Sequence, residues 1–347
     1  MTKGGRGDPA ALFPSTGGRR TGTMFPTSKL NRASTLATLP LMALAILFFS
    51  RMDLGNRNTE PPTEGRLVVA NLRGESLSLF ELTKAGQPET ATLALQGPVH
   101  ELAVVDGRIY ATLGRGQHLV EIAPGITGVL RSLALEGEPH GIAAAGDTLL
   151  VTLDRAKTLV RVRLTDFAES GRAATGDTPH TVAADGDAAW VTDARDNRLR
   201  RIAADGTVTV AETGALPESV AVSGEYVVTA DAEGGTVSVF HRSDLSLVKR
   251  ISLGGRPSRV VATGAGQIAV ALNGGSHVAV IDMEALRVER RVPVLAMPDG
   301  ICVSPSGAYA AVVSNATDSI QYFSLPDWRA AGFRAAGDGP GSCVWLP

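Results

Sequence analysis

Seven prolines recur at nearly constant spacing along most of the chain, in steps of 38 to 42 residues. Around them runs one template, in which a Gly-x-x-Pro step precedes short apolar segments separated by glycine turns and polar loops. Repeats of this length form one small structural unit each, and each unit packs on its neighbours. The prolines are Pro98, Pro139, Pro179, Pro217, Pro257, Pro298 and Pro340.

Each repeat contains four short segments in which apolar and polar residues alternate. Such alternation predicts β-strands that are buried on one face. Four strands in a period of about 40 residues are typical of one blade of a β-propeller. We therefore predict an all-β, seven-bladed β-propeller over residues 65–347.

The two ends of this region each lack part of a repeat. The region opens at Arg66 with a strand of the second type, and it closes with Pro340–Leu346, a strand of the first type with no second strand. We predict that the last strand completes the first blade, because closure removes sheet edges that would invite aggregation.

The sixth complete repeat carries a family resemblance. The segment PDGICVSPSG from Pro298, followed by VVSN from Val312, is similar to the repeat of the YVTN-type β-propellers. The resemblance covers residues 65–347 and implies the propeller fold. It implies little about function, because one fold supports many activities.

The residues before the propeller divide into three segments. Residues 1–34 contain six basic residues and one acidic residue, a net charge of +5, and residues 35–50 are uncharged and largely apolar. We predict a basic cytoplasmic arm, then a transmembrane anchor or a cleaved signal segment, then a polar linker over residues 51–64. Met24 is an alternative start. Positive charge stays in the cytoplasm, which places the propeller on the periplasmic or extracellular side.

Composition excludes two classes of protein. The formal net charge of −2 argues against a strongly basic nucleic-acid binder, so we expect no nucleic-acid partner. The hydrophobic fraction of 44%, with only 20% charged residues, argues against a disordered chain.

The residue that follows each repeat proline is expected at the mouth of the central channel. Three neighbouring blades supply His100, His140 and His180, and Glu218 and Asp299 follow on later blades. In blade 2 the proline is shifted by one residue, so His100 is the aligned residue. The histidines have three interpretations: hydrogen bonds to backbone carbonyls, a ligand site, or a divalent metal site. Three imidazoles beside a glutamate suit zinc or copper.

A second loop on the same face supplies charged residues. Arg115, Arg155 and Arg195 lie in this loop on blades 2 to 4, and Asp231 lies in it on blade 5. The arginines form either a solvated rim or a binding site for an anionic ligand.

Blade 4 has a local resemblance of its own. Its segments PHTV from Pro179 and WVTD from Trp190 are similar to repeats of the streptogramin B lyase family. That family carries its catalytic histidine in such a Pro-His step, with acidic residues and magnesium nearby. The resemblance implies His180 as acid–base residue and Asp193 as its acidic partner, where the family usually has glutamate.

Two cysteines lie in the predicted inner strands of blades 7 and 1. Cys302 is four residues after its proline and Cys343 is three, so their side chains point to opposite faces of their strands. We expect both to be core residues. A disulfide is the alternative in an oxidising compartment, but this geometry disfavours it.

These observations predict a membrane-anchored, extracytoplasmic ligand-binding or protein-interaction module that acts through one face of the ring. The expected partners are the membrane, through residues 35–50, and an unknown protein or an anionic small molecule. The alternative is a lyase or hydrolase that uses the mouth histidines, with or without a divalent metal.

Overall fold

The computed structural model describes residues 62–82 and 89–346, and these residues form seven antiparallel sheets of four strands each. Each sheet is one blade of a β-propeller. Blade 1 contains β28, β1, β2 and β3 from the centre outwards, and each later blade takes the next four strands in chain order.

The strands of blades 1 to 4 are β28 (Pro340–Leu346), β1 (Arg66–Asn71), β2 (Ser76–Glu81), β3 (Glu89–Ala94), β4 (Val99–Val105), β5 (Arg108–Leu113), β6 (His118–Ile122), β7 (Val129–Ala134), β8 (Pro139–Ala145), β9 (Thr148–Leu153), β10 (Thr158–Arg163), β11 (Ala168–Ala174), β12 (Pro179–Asp185), β13 (Ala188–Asp193), β14 (Arg198–Ile202) and β15 (Val208–Glu212). Those of blades 5 to 7 are β16 (Pro217–Ser223), β17 (Tyr226–Asp231), β18 (Thr236–His241), β19 (Leu247–Ser252), β20 (Pro257–Gly264), β21 (Gln267–Leu272), β22 (His277–Asp282), β23 (Arg287–Pro293), β24 (Pro298–Val303), β25 (Tyr309–Ser314), β26 (Ser319–Ser324) and β27 (Arg329–Ala335). Short 3-10 turns cover Pro124–Ile126 and Asn315–Thr317.

The second strand of each blade is buried almost throughout, because neighbouring blades cover both of its faces. In β13 every residue is buried, whereas the outermost strand of the preceding blade, β11, has no buried residue. Apolar clusters join neighbouring blades: Tyr110 of blade 2, for example, packs in one cluster with Val151 of blade 3. The core therefore lies between the blades, and burial falls from the centre to the rim.

The predicted ring closure is confirmed. β28 pairs with β1 in antiparallel register, with Leu67 opposite Trp345 and Asn71 opposite Pro340. Asn71 therefore lies at the end of blade 1 where the inner strands begin, which we call the top. Arg66 lies at the opposite end, the bottom, so the described chain enters the ring from the bottom.

The glycine of the Gly-x-x-Pro step makes room for a side chain at the end of the second strand. A Cβ at Gly176 would lie 2.7 Å from the Asp193 carboxyl, and one at Gly214 would lie 2.6 Å from Asp231 Oδ2. Glycine is therefore required by close approach, and these acidic side chains are part of the blade structure.

The expectation that the cysteines are unpaired core residues is wrong, because Cys302 and Cys343 form a disulfide with their Cα atoms 5.8 Å apart. Opposite strand faces are what this bond requires. The front of one blade in a ring packs against the back of the next, so opposite faces of neighbouring inner strands meet. The disulfide joins the closing strand β28 to β24 of blade 7.

The predicted basic arm, membrane segment and most of the linker (residues 1–61) lie outside the described residues. The described part of the chain contains no helix with the length and apolar character needed to span a membrane.

Candidate binding site

Side chains at the first position after the repeat proline surround the top opening of the central channel, one from each inner strand. We call them the mouth ring. In blade 2, Val99 stands where other blades have proline. The mouth ring consists of His100, His140, His180, Glu218, Ser258, Asp299 and Gly341.

The three histidines of the mouth ring lie side by side, as the sequence predicts. The ring centroids of His100 and His140 are 4.5 Å apart, and those of His140 and His180 are 4.0 Å apart. The ring planes are tilted by 41° and 43°. The imidazoles thus form one row along the wall of the mouth.

Each of the last two histidines bonds to the backbone of the next blade. His140 Nδ1 lies 3.1 Å from the carbonyl oxygen of His180, and His180 Nδ1 lies 2.7 Å from that of Glu218. A carbonyl oxygen only accepts, so Nδ1 of both rings carries the proton. In a neutral imidazole this leaves Nε2 with a free lone pair.

Burial keeps these imidazoles neutral. It lowers the pKa of His140 well below its ordinary value, and the neighbouring His180 and His100 lower it further. Burial likewise lowers the pKa of His180 to about 4. At neutral pH both Nε2 atoms are therefore hydrogen-bond acceptors, and among the described residues neither has a donor.

His100 occupies space left by a glycine. A Cβ at Gly114 would lie 2.4 Å from His100 Nε2. Blades 4 and 5 have Ala194 and Ala232 at the position of Gly114, one residue past the end of the second strand. The absence of a Cβ at Gly114 leaves the space in which this third imidazole joins the row.

The opposite side of the mouth ring carries two carboxyl groups in different environments. Glu218 is paired with Arg256, a residue that the sequence analysis missed. Asp299 has neither an ion pair nor a hydrogen bond among the described residues. Burial raises the pKa of Asp299 to about 6, although the positive charge of Arg259 opposes the shift.

Ser258 lies between Glu218 and Asp299 in the mouth ring. Its side chain is 9% exposed, and its Oγ has no hydrogen-bond partner. Buried hydroxyl groups without a partner are rare, because desolvation is then not compensated. The mouth ring therefore holds an unsatisfied polar atom beside an unpaired carboxyl group.

Below the mouth ring, the central channel encloses a cavity of about 160 Å³ lined by the inner strands of all seven blades. Its walls are mostly small or apolar, except for Glu101 of blade 2 and Arg259 of blade 6, which form an ion pair across it. Ser342 Oγ donates to Glu101 Oε2 at 3.0 Å. The sequence analysis missed this network, which forms the floor of the mouth.

Two acidic residues predicted at the site are engaged within their blades. Asp193 accepts from Arg200 Nε at 2.9 Å and from the Gly176 amide at 2.9 Å. Asp231 accepts from the hydroxyl groups of Thr229, Thr236 and Ser238. The structure thus does not bring Asp193 to His180, and it places neither acidic residue in the mouth ring.

The rim arginines differ in their contacts. Arg155 Nε is 2.9 Å from Glu138 Oε2, and its side chain is 75% exposed. Arg115 and Arg195 have no carboxylate partner within residues 62–82 and 89–346. The anionic-ligand prediction therefore depends on these two side chains.

The metal prediction for His100, His140 and His180 concerns the same row. Among the described residues, no group of three or more His, Cys, Asp or Glu side chains is arranged to hold a metal ion. The imidazoles lie in a row with tilted planes, and Nδ1 of His140 and of His180 is bonded to a backbone carbonyl, whereas a shared ion needs ring nitrogens that converge on one point. The metal site stays a prediction.

Comparison with known proteins supports the fold. No family model matches the chain, so the YVTN-type repeat stays a resemblance. No curated protein matches it either. Among solved structures, a functionally unknown protein from Desulfotomaculum acetoxidans has 12% identity and a TM-score of 0.71, with 82% of this chain and 99% of that chain covered.

Two lyase structures are also similar. Virginiamycin B lyase from Staphylococcus aureus has 12% identity and a TM-score of 0.62, with 71% of this chain and 88% of that chain covered. A streptogramin B lyase structure has 10% identity and a TM-score of 0.64, with 72% and 87% covered. At this level of identity the likeness shows the propeller fold alone.

Proposed function

We propose that the protein is an extracytoplasmic binding module whose ligand enters the mouth ring. One observation carries the proposal: the mouth ring presents several polar groups that the described protein leaves unsatisfied. These are His140 Nε2, His180 Nε2, Ser258 Oγ and the Asp299 carboxyl group. A few convergent polar groups at a concave opening are typical of small-molecule sites.

Two features support the location outside the cytoplasm. The Cys302–Cys343 disulfide is of a kind that persists in oxidising compartments. The basic arm and the apolar segment over residues 35–50 favour an anchor or signal with the propeller outside. Fusing alkaline phosphatase after residue 64 tests this, because the enzyme is active only outside the cytoplasm.

The described chain enters the propeller at the end opposite the mouth ring. Glu64 lies at the bottom of the ring, where its carbonyl oxygen accepts from Trp345 Nε1 at 2.7 Å and its carboxylate accepts from the Ser306 amide at 2.9 Å.

A small ligand fits better than a protein partner. In the described part of the chain, the exposed large apolar side chains lie on several blades and form no shared surface around the mouth ring: Val129, Leu130, Val208, Leu247 and Met297. Protein interfaces usually need a contiguous apolar centre. The polar mouth above a small cavity suits a small polar molecule.

A fragment screen followed by protein-observed NMR tests the proposal. We expect fragments that shift the His140 and His180 signals in the wild type and fail to bind His140→Ala. His241, at the bottom end of β18, gives the matched control, and His241→Ala should bind normally. The proposal is wrong if no fragment shifts the mouth signals, or if both variants bind like the wild type.

The lyase or hydrolase alternative draws support from the same imidazoles. A neutral histidine with a free Nε2 is chemically suited to act as a general base. Its orienting partner would be the backbone carbonyl of Glu218 rather than Asp193. Turnover of lactone and ester probes that is lost in His180→Ala and kept in Asp193→Asn would favour this alternative.

A further inference from the structure

Among the charged groups around the mouth ring, one carboxyl group has no ion-pair partner in the described residues. Arg256 is paired with Glu218, and Arg259 is paired with Glu101. Each arginine is therefore neutralised by its own carboxylate. Asp299 is the remaining charged group of the mouth ring: it forms no ion pair or hydrogen bond among the described residues, and Arg259 and Arg256 act on it only at longer range.

The unpaired polar groups of the mouth ring can all accept hydrogen bonds. His140 and His180 each present an Nε2 lone pair, and Asp299 presents carboxylate oxygens. Ser258 Oγ, which belongs to the blade next to that of Asp299, is buried without a partner and can accept as well as donate. The mouth is thus lined by acceptors and lacks a matching set of donors.

There is also space beside the unpaired carboxyl group. Gly341 follows Asp299 in the mouth ring, and a Cβ at Gly341 would lie 3.5 Å from Asp299 Oδ2. The absence of a side chain there leaves this oxygen open on the side towards blade 1. A ligand group can therefore reach Asp299 without displacing a protein side chain.

We propose that the mouth ring binds the primary ammonium group of its ligand, with Asp299 as the counter-ion and Ser258 as a neighbouring acceptor. This inference rests on the proposed function. An ammonium group carries three donors and one positive charge, which complements an unpaired carboxylate among acceptors. Arg256 and Arg259, the guanidinium groups that act on Asp299, are already paired with Glu218 and Glu101. The ammonium group belongs either to a free amine or to a lysine side chain.

The histidines provide further hydrogen-bond acceptors on another part of the mouth ring. Their Nε2 atoms accept hydrogen bonds from amide or hydroxyl donors elsewhere on the ligand. Because burial holds them neutral, they add no positive charge that would repel an ammonium group. The neutral row and the acidic side of the mouth therefore favour the same class of ligand.

Titration at pH 7.5 and constant ionic strength tests the proposal. The probes are n-butylammonium, butyrate, and Nα-acetyl-lysine N-methylamide, and the signals are the mouth histidines in long-range ¹H–¹⁵N spectra. We expect saturable shifts with the two ammonium probes and none with butyrate. Tighter binding of the lysine probe indicates a peptide source, and tighter binding of butylammonium indicates a free amine.

Matched variants assign the effect to the carboxyl group. Asp299→Asn should weaken ammonium binding at least about tenfold, while Asp244→Asn, in the turn after β18 at the bottom, should bind like the wild type. Equal binding by Asp299→Asn would overturn the inference. Saturable binding of butyrate alone would overturn the ammonium inference but leave the mouth ring as a binding site. If no probe and no fragment binds, both the ammonium inference and the proposed binding function are wrong.

Discussion

Glu101 and Arg259 form an ion pair across the central channel, between the inner strands of blades 2 and 6. The two side chains are 11% and 19% exposed. Burial alone would lower the pKa of Arg259, but the Glu101 carboxylate more than offsets this and raises it. The pair connects blades that are not neighbours in the ring and forms the floor below the mouth.

Removing one member of this pair should destabilise the ring. Arg259→Met leaves Glu101 buried without its cation, and we expect a loss of about 3 kcal/mol in the free energy of unfolding. The double variant Glu101→Gln/Arg259→Met should recover most of that loss. Urea unfolding checks both, and an unchanged midpoint for Arg259→Met would contradict the buried pairing.

Sequence reasoning predicted the ring but missed its central charges. The prolines mark the top of each inner strand, so the mouth ring follows directly from the repeat. Glu101 and Arg259 lie one residue further along, at a position where other blades have glycine, serine or threonine. Two opposite charges among small residues were a usable signal, but their pairing needs the closed ring, because 158 residues separate them.

The disulfide should contribute most of its stability through ring closure. Cys302 and Cys343 are 41 residues apart, and the loop-entropy estimate for such a crosslink is about 4 kcal/mol. We expect Cys302→Ala/Cys343→Ala to lose stability by that order in urea unfolding. Reduced wild-type protein is the matched control and should resemble the variant, and oxidised and reduced proteins of equal stability would contradict the role.

Strand alternation mispredicts the cysteine pairing, because it describes each blade by itself. Alternation along a strand correctly places Cys302 and Cys343 on opposite faces. Only the packing of neighbouring blades shows that these two faces meet. Similarly, Asp193 and Asp231 were recognised at the ends of their strands, but Gly176 and Gly214, on which they pack, show that they are structural.

Acid should destabilise the protein through its buried histidines. The pKa of His180 is about 4 in the folded protein and about 6.5 when unfolded, so the unfolded state gains the proton first as the pH falls. Stability should therefore fall between pH 6.5 and 4. Between pH 7 and pH 4.5, the free energy of unfolding measured in urea should fall by about 1 to 2 kcal/mol less for His180→Gln than for the wild type. An equal fall in both proteins would contradict burial of a neutral imidazole.

Asp299 should make the protein less stable as the pH rises, which is opposite to the effect of the histidines. Its pKa is about 6 when folded against 3.8 for the ordinary side chain, so the folded state holds its proton longer and stability falls as the pH rises from about 4 to 6. We expect Asp299→Asn to exceed wild type by about 2 kcal/mol at pH 8 and by less at pH 4.5. Asp244→Asn should show no such pH-dependent gain.

A charged group retained at a cost in stability is typical of a functional site. The same Asp299→Asn variant should therefore be more stable and bind an ammonium probe more weakly. If Asp299→Asn is more stable than the wild type but binds the ammonium probe equally well, Asp299 is not part of the binding site.

The protonation of the mouth histidines tests the central claim most directly, because the site depends on free Nε2 atoms. Long-range ¹H–¹⁵N spectra at pH 7.5 report which ring nitrogen carries the proton. We expect the proton on Nδ1 of both His140 and His180, where it bonds to the next blade, and an unprotonated Nε2 that shifts when Nα-acetyl-lysine N-methylamide, which carries amide donors, is added. Imidazolium rings, or a proton on Nε2, would contradict the account.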